Sequence, residues 1–251
     1  RHGQAGRATR WRGSRWALPT AAALCAATWS AALARPDGLL HLHVLDVGQG
    51  DAILVVTPSG GRVLVDGGPG PSAVLSGLGR ILPPWDRRLD MVVLTHPDED
   101  HVGGLAAVLE RYRVETIVEA ADSPDTPAAA AWRQAVALEG ARRWQVGAGH
   151  ELELDPVGAV SARVLWPVRD APLPDAALEG ANNRSLVLML AHGHVRILLT
   201  GDIEQPVEEA LLVAGTDLGA QVLKVPHHGS STSSSAEFLD AVQPWLSLVS
   251  V

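Results

Sequence analysis

The sequence predicts an α/β domain built on a mixed sheet. Three observations carry this reading. Short β-like runs alternate with segments of helical spacing along most of the chain. The turn PSGG separates two apolar runs, AILVVT and RVLVD, as in a hairpin. Three apolar strands, RVLVD, RILLTGD and LKVPHH, each run into an acidic or imidazole side chain beside a glycine.

The N-terminal segment differs from the rest. Residues 1–35 hold six arginines and no acid, so the other 216 residues carry 14 basic against 28 acidic side chains. Residues 1–15 read as a basic cytoplasmic flank. Trp16 to Ala34 has no charge and about the length of a bilayer core, so a transmembrane helix is expected over 16–34. A signal peptide is the alternative, because Ala32-Leu33-Ala34 fits a small-residue cleavage site. Both place the downstream domain outside the cytoplasm. Cys25 is the single cysteine, so that domain has neither a disulfide nor a thiolate-bound metal.

From His41 the run HLHVLDV alternates, and the hairpin around PSGG comes next. SAVLSGLGRIL has helical spacing, DMVVLT is a short strand, and HVGGLAAVLERY reads as helical from about Gly103. ETIVEA is a strand. TPAAAAWRQAVALEG is a helix with proline near its start and glycine at its end. HELELD and VSARVLW are strands, and SLVLMLAHGHVRILLTGD gives two more around His-Gly-His. EQPVEEALLVAG is a helix, AQVLKVP a strand, SSSAEFLDAV a helix capped by Ser233 or Ser234, and WLSLVSV a last strand. Loops rich in Pro, Ala, Asp and Gly are expected at 121–127 and 167–184.

The stretch THPDEDHVGG carries the chemistry. His96, Asp98, Asp100 and His101 put two imidazoles and two carboxylates where an apolar strand ends, which is where open α/β sheets place their sites. One such loop can supply parts of two metal sites. Asp66, at the end of RVLVD, can accept the free N–H of a ligand histidine and fix its tautomer. Asp202 can bridge two cations, and His227 and His228 offer further nitrogen. No G-x-S-x-G elbow is present, which argues against a serine hydrolase.

LDVGQGDA (45–52), LVDGG (64–68), THPDEDHVGGL (95–105), NNRSLVL (182–188), LLTGD (198–202) and LKVPHHGS (223–230) occur in this order. Together they resemble the metallo-β-lactamase fold, and more narrowly the C-terminal domain of the ComEC family, the DNA-internalisation competence membrane proteins. The resemblance covers about 39–251. It implies an αββα four-layer sandwich with metals at one edge, preceded by the last helix of a transmembrane region, which residues 16–34 match. The family's late Asn and His would fall after Val251, so the domain is read as C-terminally truncated. Two departures from the usual hydrolase pattern stand out. Asp98 replaces the second histidine of HxHxDH, and Ala181-Asn182-Asn183 holds no histidine.

The resemblance implies two divalent ions. The first would be held by His96, Asp98 and a shared Asp202. The second would be held by Asp100, His101, Asp202 and one of His227 or His228. Oxygen-rich ligation favours Mn²⁺ or Mg²⁺, and Zn²⁺ also fits. Asp66, Asp100 and Lys224 are the expected catalytic residues, Lys224 reaching a substrate phosphate. The alternative for Lys224 is a strand-edge lysine facing solvent. Gln49, Asp51, Asn182 and Ser230 are expected to meet substrate.

The implied reaction is phosphodiester hydrolysis of DNA at a membrane, with the 39–251 domain on the extracytoplasmic side. The expected partners are the membrane through 16–34, the transmembrane region of the same protein and other DNA-uptake proteins. Two alternatives are a domain that guides single-stranded DNA without cutting it, and a hydrolase of small esters or cyclic phosphates on the same fold. The formal charge of −14 after residue 35 works against polyanion binding unless bound cations offset it.

Overall fold

The computed structural model describes residues 16–33, 35–120, 126–168 and 179–251. The expected basic flank at 1–15 and parts of the two expected loops, 121–125 and 169–178, lie outside the described residues. The chain divides into two compact units, Arg1–Arg35 and Pro36–Val251.

In the first unit the apolar run forms helix α1, Ala17–Leu33. Thr20 and Thr28 donate their hydroxyls back to the carbonyls of Trp16 and Leu24, at 2.6 and 2.9 Å. With 17 residues α1 is about 25 Å long, short of the ~30 Å hydrocarbon core. Among the described residues no helix is long and apolar enough to cross a membrane, so the span expected over 16–34 is not obtained.

The second unit is a helix–sheet–sheet–helix stack. The first sheet has the order β1 (His41–Val44), β2 (Ile53–Val56), β3 (Arg62–Val65), β4 (Arg88–Leu94), β5 (Arg113–Ala120) and β6 (Arg142–Val146). Its first three strands pair antiparallel and β3 to β6 pair parallel. The second sheet runs β12 (Leu246–Leu248), β11 (Val222–Lys224), β10 (Val195–Leu199), β9 (Val187–His192), β8 (Val160–Trp166) and β7 (Glu151–Asp155). Here β7 to β10 are antiparallel, while β10, β11 and β12 are parallel.

Three apolar clusters define the layers. α2 (Pro71–Ile81), α4 (Leu105–Arg111) and α5 (Pro127–Glu139) cover the outer face of the first sheet through Val74, Leu105 and Trp132. Val55, Val65, Val93, Val164 and Leu188 fill the space between the sheets. α6 (Gln205–Val213) and α7 (Ala236–Val242) cover the second sheet through Val207, Leu211 and Phe238. The expected αββα layering is thus present.

The sequence reading and the structure differ at a few elements. β6 was not expected; it is an edge strand whose Arg-Arg-Trp-Gln-Val carries too much polarity to read as a core strand. The helix expected from Gly103 begins four residues earlier as the single turn α3, Glu99–Val102, and resumes as α4 after Gly103-Gly104. The cap of α7 is Ser235, which accepts the Phe238 N–H at 3.3 Å, rather than Ser233 or Ser234. Ser233 donates to the Pro226 carbonyl, and the Ser234 and Ser235 N–H groups both go to the buried Glu208 carboxylate.

Leu64 is fully buried against the first helical layer, whereas Leu138 on α5 is 80% exposed. Leu64→Ala should cost about 2–5 kcal/mol of unfolding free energy in urea titration, and Leu138→Ala no more than about 0.5 kcal/mol.

Candidate metal centre

All the strand ends expected to carry chemistry meet at one edge of the sandwich. Asp66 follows β3, the 95–101 loop follows β4, Asp202 follows β10, and His227-His228 follow β11. These strands point the same way within each sheet, so their C-terminal ends share that edge. Two glycines permit the close approach. Gly50 has φ +121, and a Cβ there would lie 2.1 Å from the Asp100 carbonyl oxygen. Gly201 has φ +53, and a Cβ there would lie 2.7 Å from Ser185 Cβ. Ser185 Oγ accepts the Asp202 N–H at 3.1 Å.

Asp66 organises the first half of the site. It is wholly buried and adopts φ +58. It accepts the Thr95 N–H at 2.8 Å, the Thr95 hydroxyl at 2.6 Å and His101 Nδ1 at 2.9 Å. Thr95 has one hydroxyl proton and gives it to Asp66. Its oxygen, 3.1 Å from His96 Nδ1, must therefore accept from that nitrogen. His228 Nδ1 likewise faces the Ser250 carbonyl at 3.1 Å. The Nδ1 contacts thus fix one proton on Nδ1 of each of the three imidazoles, leaving Nε2 as the atom a cation would bind once any second proton is displaced.

Three ring nitrogens and one carboxylate oxygen make no well-formed hydrogen bond. His96 Nε2, His101 Nε2, His228 Nε2 and Asp51 Oδ1 are buried and make no hydrogen bond among the described residues. His101 Nε2 and His228 Nε2 each lie 3.2 Å from the same oxygen, Asp202 Oδ2. Asp51, His101, Asp202 and His228 offer ligand atoms that all lie within 4.8 Å of one another. Buried polar atoms without hydrogen bonds are costly, and a divalent cation would satisfy those of Asp51, His101 and His228 together. The donor set therefore fits a divalent ion.

Electrostatics agree. Burial alone would raise the Asp202 pKa. The His101 and His228 imidazoles and the Lys224 ammonium overrule it and hold the carboxyl far below the usual range. Burial also opposes charge on His228, but Asp100 and Asp202 carry its pKa up to about 9. Burial and then the charge of His101 push the His96 pKa well down, keeping that ring neutral.

Most of the expected residues meet here, with one open choice resolved and two corrections, at Lys224 and Asp51. His228 enters the cluster and His227 does not: His227 Nδ1 faces Glu204 at 3.3 Å and its Nε2 faces Asn182 Nδ2 at 3.4 Å. Lys224 is neither exposed nor free to reach a phosphate; it is fully buried and ion-paired with Asp51 and Asp202. Asp51 belongs to the ligand cluster rather than to a substrate surface, and it is 2% exposed. Ser230 lies nearby on the accessible side, its hydroxyl 3.0 Å from that of Thr232.

Asp98 and Asp100 stand at the rim, their side chains 37% and 40% exposed. Asp98 Oδ2 is 3.8 Å from His96 Nε2, and Asp100 Oδ2 is 3.6 Å from His228 Nε2. Gln49 is exposed on the bend before Asp51. Thr95, Ser185 and Glu204 were not anticipated. Thr95 alone had a signal, since it sits between the strand and the first histidine.

Two packed sheets between helical layers, with a histidine–aspartate cluster on one edge, define a fold class typical of metal-dependent hydrolases. The chain belongs to the metallo-beta-lactamase superfamily, whose sequence pattern matches residues 45–249. Its relatives include competence proteins of the ComEC family. It is 33% identical over 227 residues to ComE operon protein 3 of Bacillus subtilis, covering 84% of this chain and 28% of that protein. It is also 33% identical over 215 residues to competence protein ComA of Neisseria gonorrhoeae, covering 83% of this chain and 26% of that protein. The chain thus spans roughly a quarter of these relatives. Among solved structures, the metallo-beta-lactamase SMB-1 matches with a TM-score of 0.51 at 14% identity, over 74% of this chain and 76% of that one. At that identity the likeness concerns the fold alone.

A cation must displace the protons that hold the cluster together without it. His228 titrates near 9 in the metal-free protein, so Mn²⁺ affinity should rise from pH 6 to pH 9, with protons released on binding. Calorimetry in two buffers of different ionisation enthalpy measures both. His228→Ala should weaken binding at least tenfold and His227→Ala by less than about threefold.

Proposed function

We propose that this domain is an extracytoplasmic, divalent-metal-dependent phosphodiesterase that cuts DNA during its uptake. The observation that carries the reading is the convergence of Asp51, His101, Asp202 and His228 on one edge, where Asp51, His101 and His228 each keep a buried atom without a hydrogen bond. Kinship with competence proteins supports DNA as the substrate.

Within this reading each side chain has a role. Asp202 Oδ2, His101 Nε2 and His228 Nε2 would hold one divalent ion, with Asp51 Oδ1 beside them. His96 and Asp98 would contribute to a second. Such ions supply Lewis acidity, activating water as a nucleophile and offsetting charge on the phosphorus. Asp66 keeps the His101 proton on Nδ1, so that Nε2 remains a donor. Asp100, at the rim, is placed to orient water. His227, partly exposed beside Asn182 and Glu204, lines the approach without entering the cluster. Cations held there would offset the local carboxylates and relieve the repulsion that an acidic domain exerts on a polyanion.

The test uses the 251-residue chain, end-labelled linear DNA and Mn²⁺. Cleavage is expected, with loss in EDTA and at least a 10³-fold loss in Asp202→Asn. DNA binding without cleavage under any divalent metal would instead identify a DNA-guiding domain. Turnover of small phosphate esters alone would identify another hydrolase.

The extracytoplasmic placement, with residues 16–34 at the membrane, belongs to the same proposal. It rests on the basic segment followed by an uncharged one. Alkaline phosphatase fused after Val251 in bacterial cells should be active; an inactive fusion that is nevertheless produced would place the domain in the cytoplasm.

A further inference from the structure

Lys224 is the chain's only lysine, and none of its surface is exposed. An ammonium has three protons to donate. Here all three are used: one on Asp51 Oδ2, one on Asp202 Oδ1 at 3.2 Å, and one on the Gly201 carbonyl at 2.9 Å. Thr200 fixes the strand that carries it, donating its hydroxyl to the Lys224 carbonyl at 2.8 Å.

The consequence lies in what remains of the two carboxylates. Each is divided between the ammonium and the cluster. Asp202 keeps Oδ2 facing His101 and His228, and Asp51 keeps Oδ1, which has no partner. With Lys224 in place neither acid can chelate through both oxygens. The buried cluster of Asp51, His101, Asp202 and His228 then offers two oxygens and two nitrogens. Zinc accepts such a four-donor set, and Mn²⁺ takes it with water completing the shell. Ca²⁺ requires six to eight oxygens and commonly takes a carboxylate bidentate.

We propose that Lys224 is a metal-selectivity residue: by occupying one oxygen of Asp51 and one of Asp202 it keeps both carboxylates single-oxygen donors and excludes calcium. The proposal rests on reading the cluster as a metal centre, and it is independent of which bond the enzyme cuts. Lys224 is committed to the two aspartates and would act on a bound ion through them, so it is a positioning residue. For an extracytoplasmic protein the discrimination matters, because calcium is abundant outside cells and would compete for an acidic pocket.

The experiment starts from the Mn²⁺-loaded 251-residue chain and tracks release of Mn²⁺ by electron paramagnetic resonance as Ca²⁺ is added. Starting from loaded protein allows a variant that folds only with metal to be measured. The wild type should hold Mn²⁺ against at least a hundredfold excess of Ca²⁺. Lys224→Met and Lys224→Gln should lower the excess needed for half-displacement at least tenfold, because Asp51 Oδ2 and Asp202 Oδ1 become available.

An unchanged calcium requirement in both Lys224 variants overturns the proposal. So does failure of both to load Mn²⁺, since Lys224 is held to restrict the donor set and not to create it. A wild-type chain that binds neither cation overturns the metal-centre reading itself. Metal binding with the expected selectivity but no DNA cleavage leaves this inference standing and removes the nuclease reading.

Discussion

The site depends on one carboxylate remaining ionised where almost no water reaches it. Asp202 is 2% exposed, yet it stays charged because two imidazoles and an ammonium surround it. An isolated buried carboxylate would take up a proton. The surrounding groups come from the turn after β4, the end of β11 and the turn beyond it. Each is held by a further contact: His101 by Asp66, His228 by the Ser250 carbonyl, and Lys224 by Asp51. The chemistry at the edge is therefore inseparable from the order of strands in the two sheets.

Backbone strain marks the same edge. Asp66, His227 and His228 are non-glycine residues with left-handed φ values of 58°, 46° and 52°. Each such residue costs about 1–3 kcal/mol and persists only where surrounding contacts impose it. For Asp66 those contacts are the three hydrogen bonds to Thr95 and His101. At 227–228 the successive left-handed residues turn adjacent rings apart, one into the cluster and the other toward Glu204.

Much of this was legible in the sequence, because apolar strands that end on an acid or a histidine announce both the sheet and its functional edge. Asp66, His96, Asp100, His101 and Asp202 were found that way. Asp51 was read as a substrate contact because it precedes β2 instead of ending a strand, and the local pattern is that of a Gly-rich bend. Lys224 is not legible locally for a general reason: lysine is almost never fully buried unless paired. Its partners, Asp51 and Asp202, lie on other elements. Which of two adjacent histidines enters a site depends on dihedral angles that no local pattern specifies. β6 escaped because an edge strand need not be apolar. α3 escaped because its acidic first turn reads equally well as a solvated loop.

The central apolar layer joins two half-sandwiches, and the cluster draws on both: Asp51 and His101 belong to the first sheet's loops, Asp202 and His228 to the second's. Whatever spans those four side chains acts as a clasp across the seam between the halves. Prising the sheets apart would then mean breaking coordination as well as exposing hydrocarbon, so an occupied edge would make the entire sandwich harder to open.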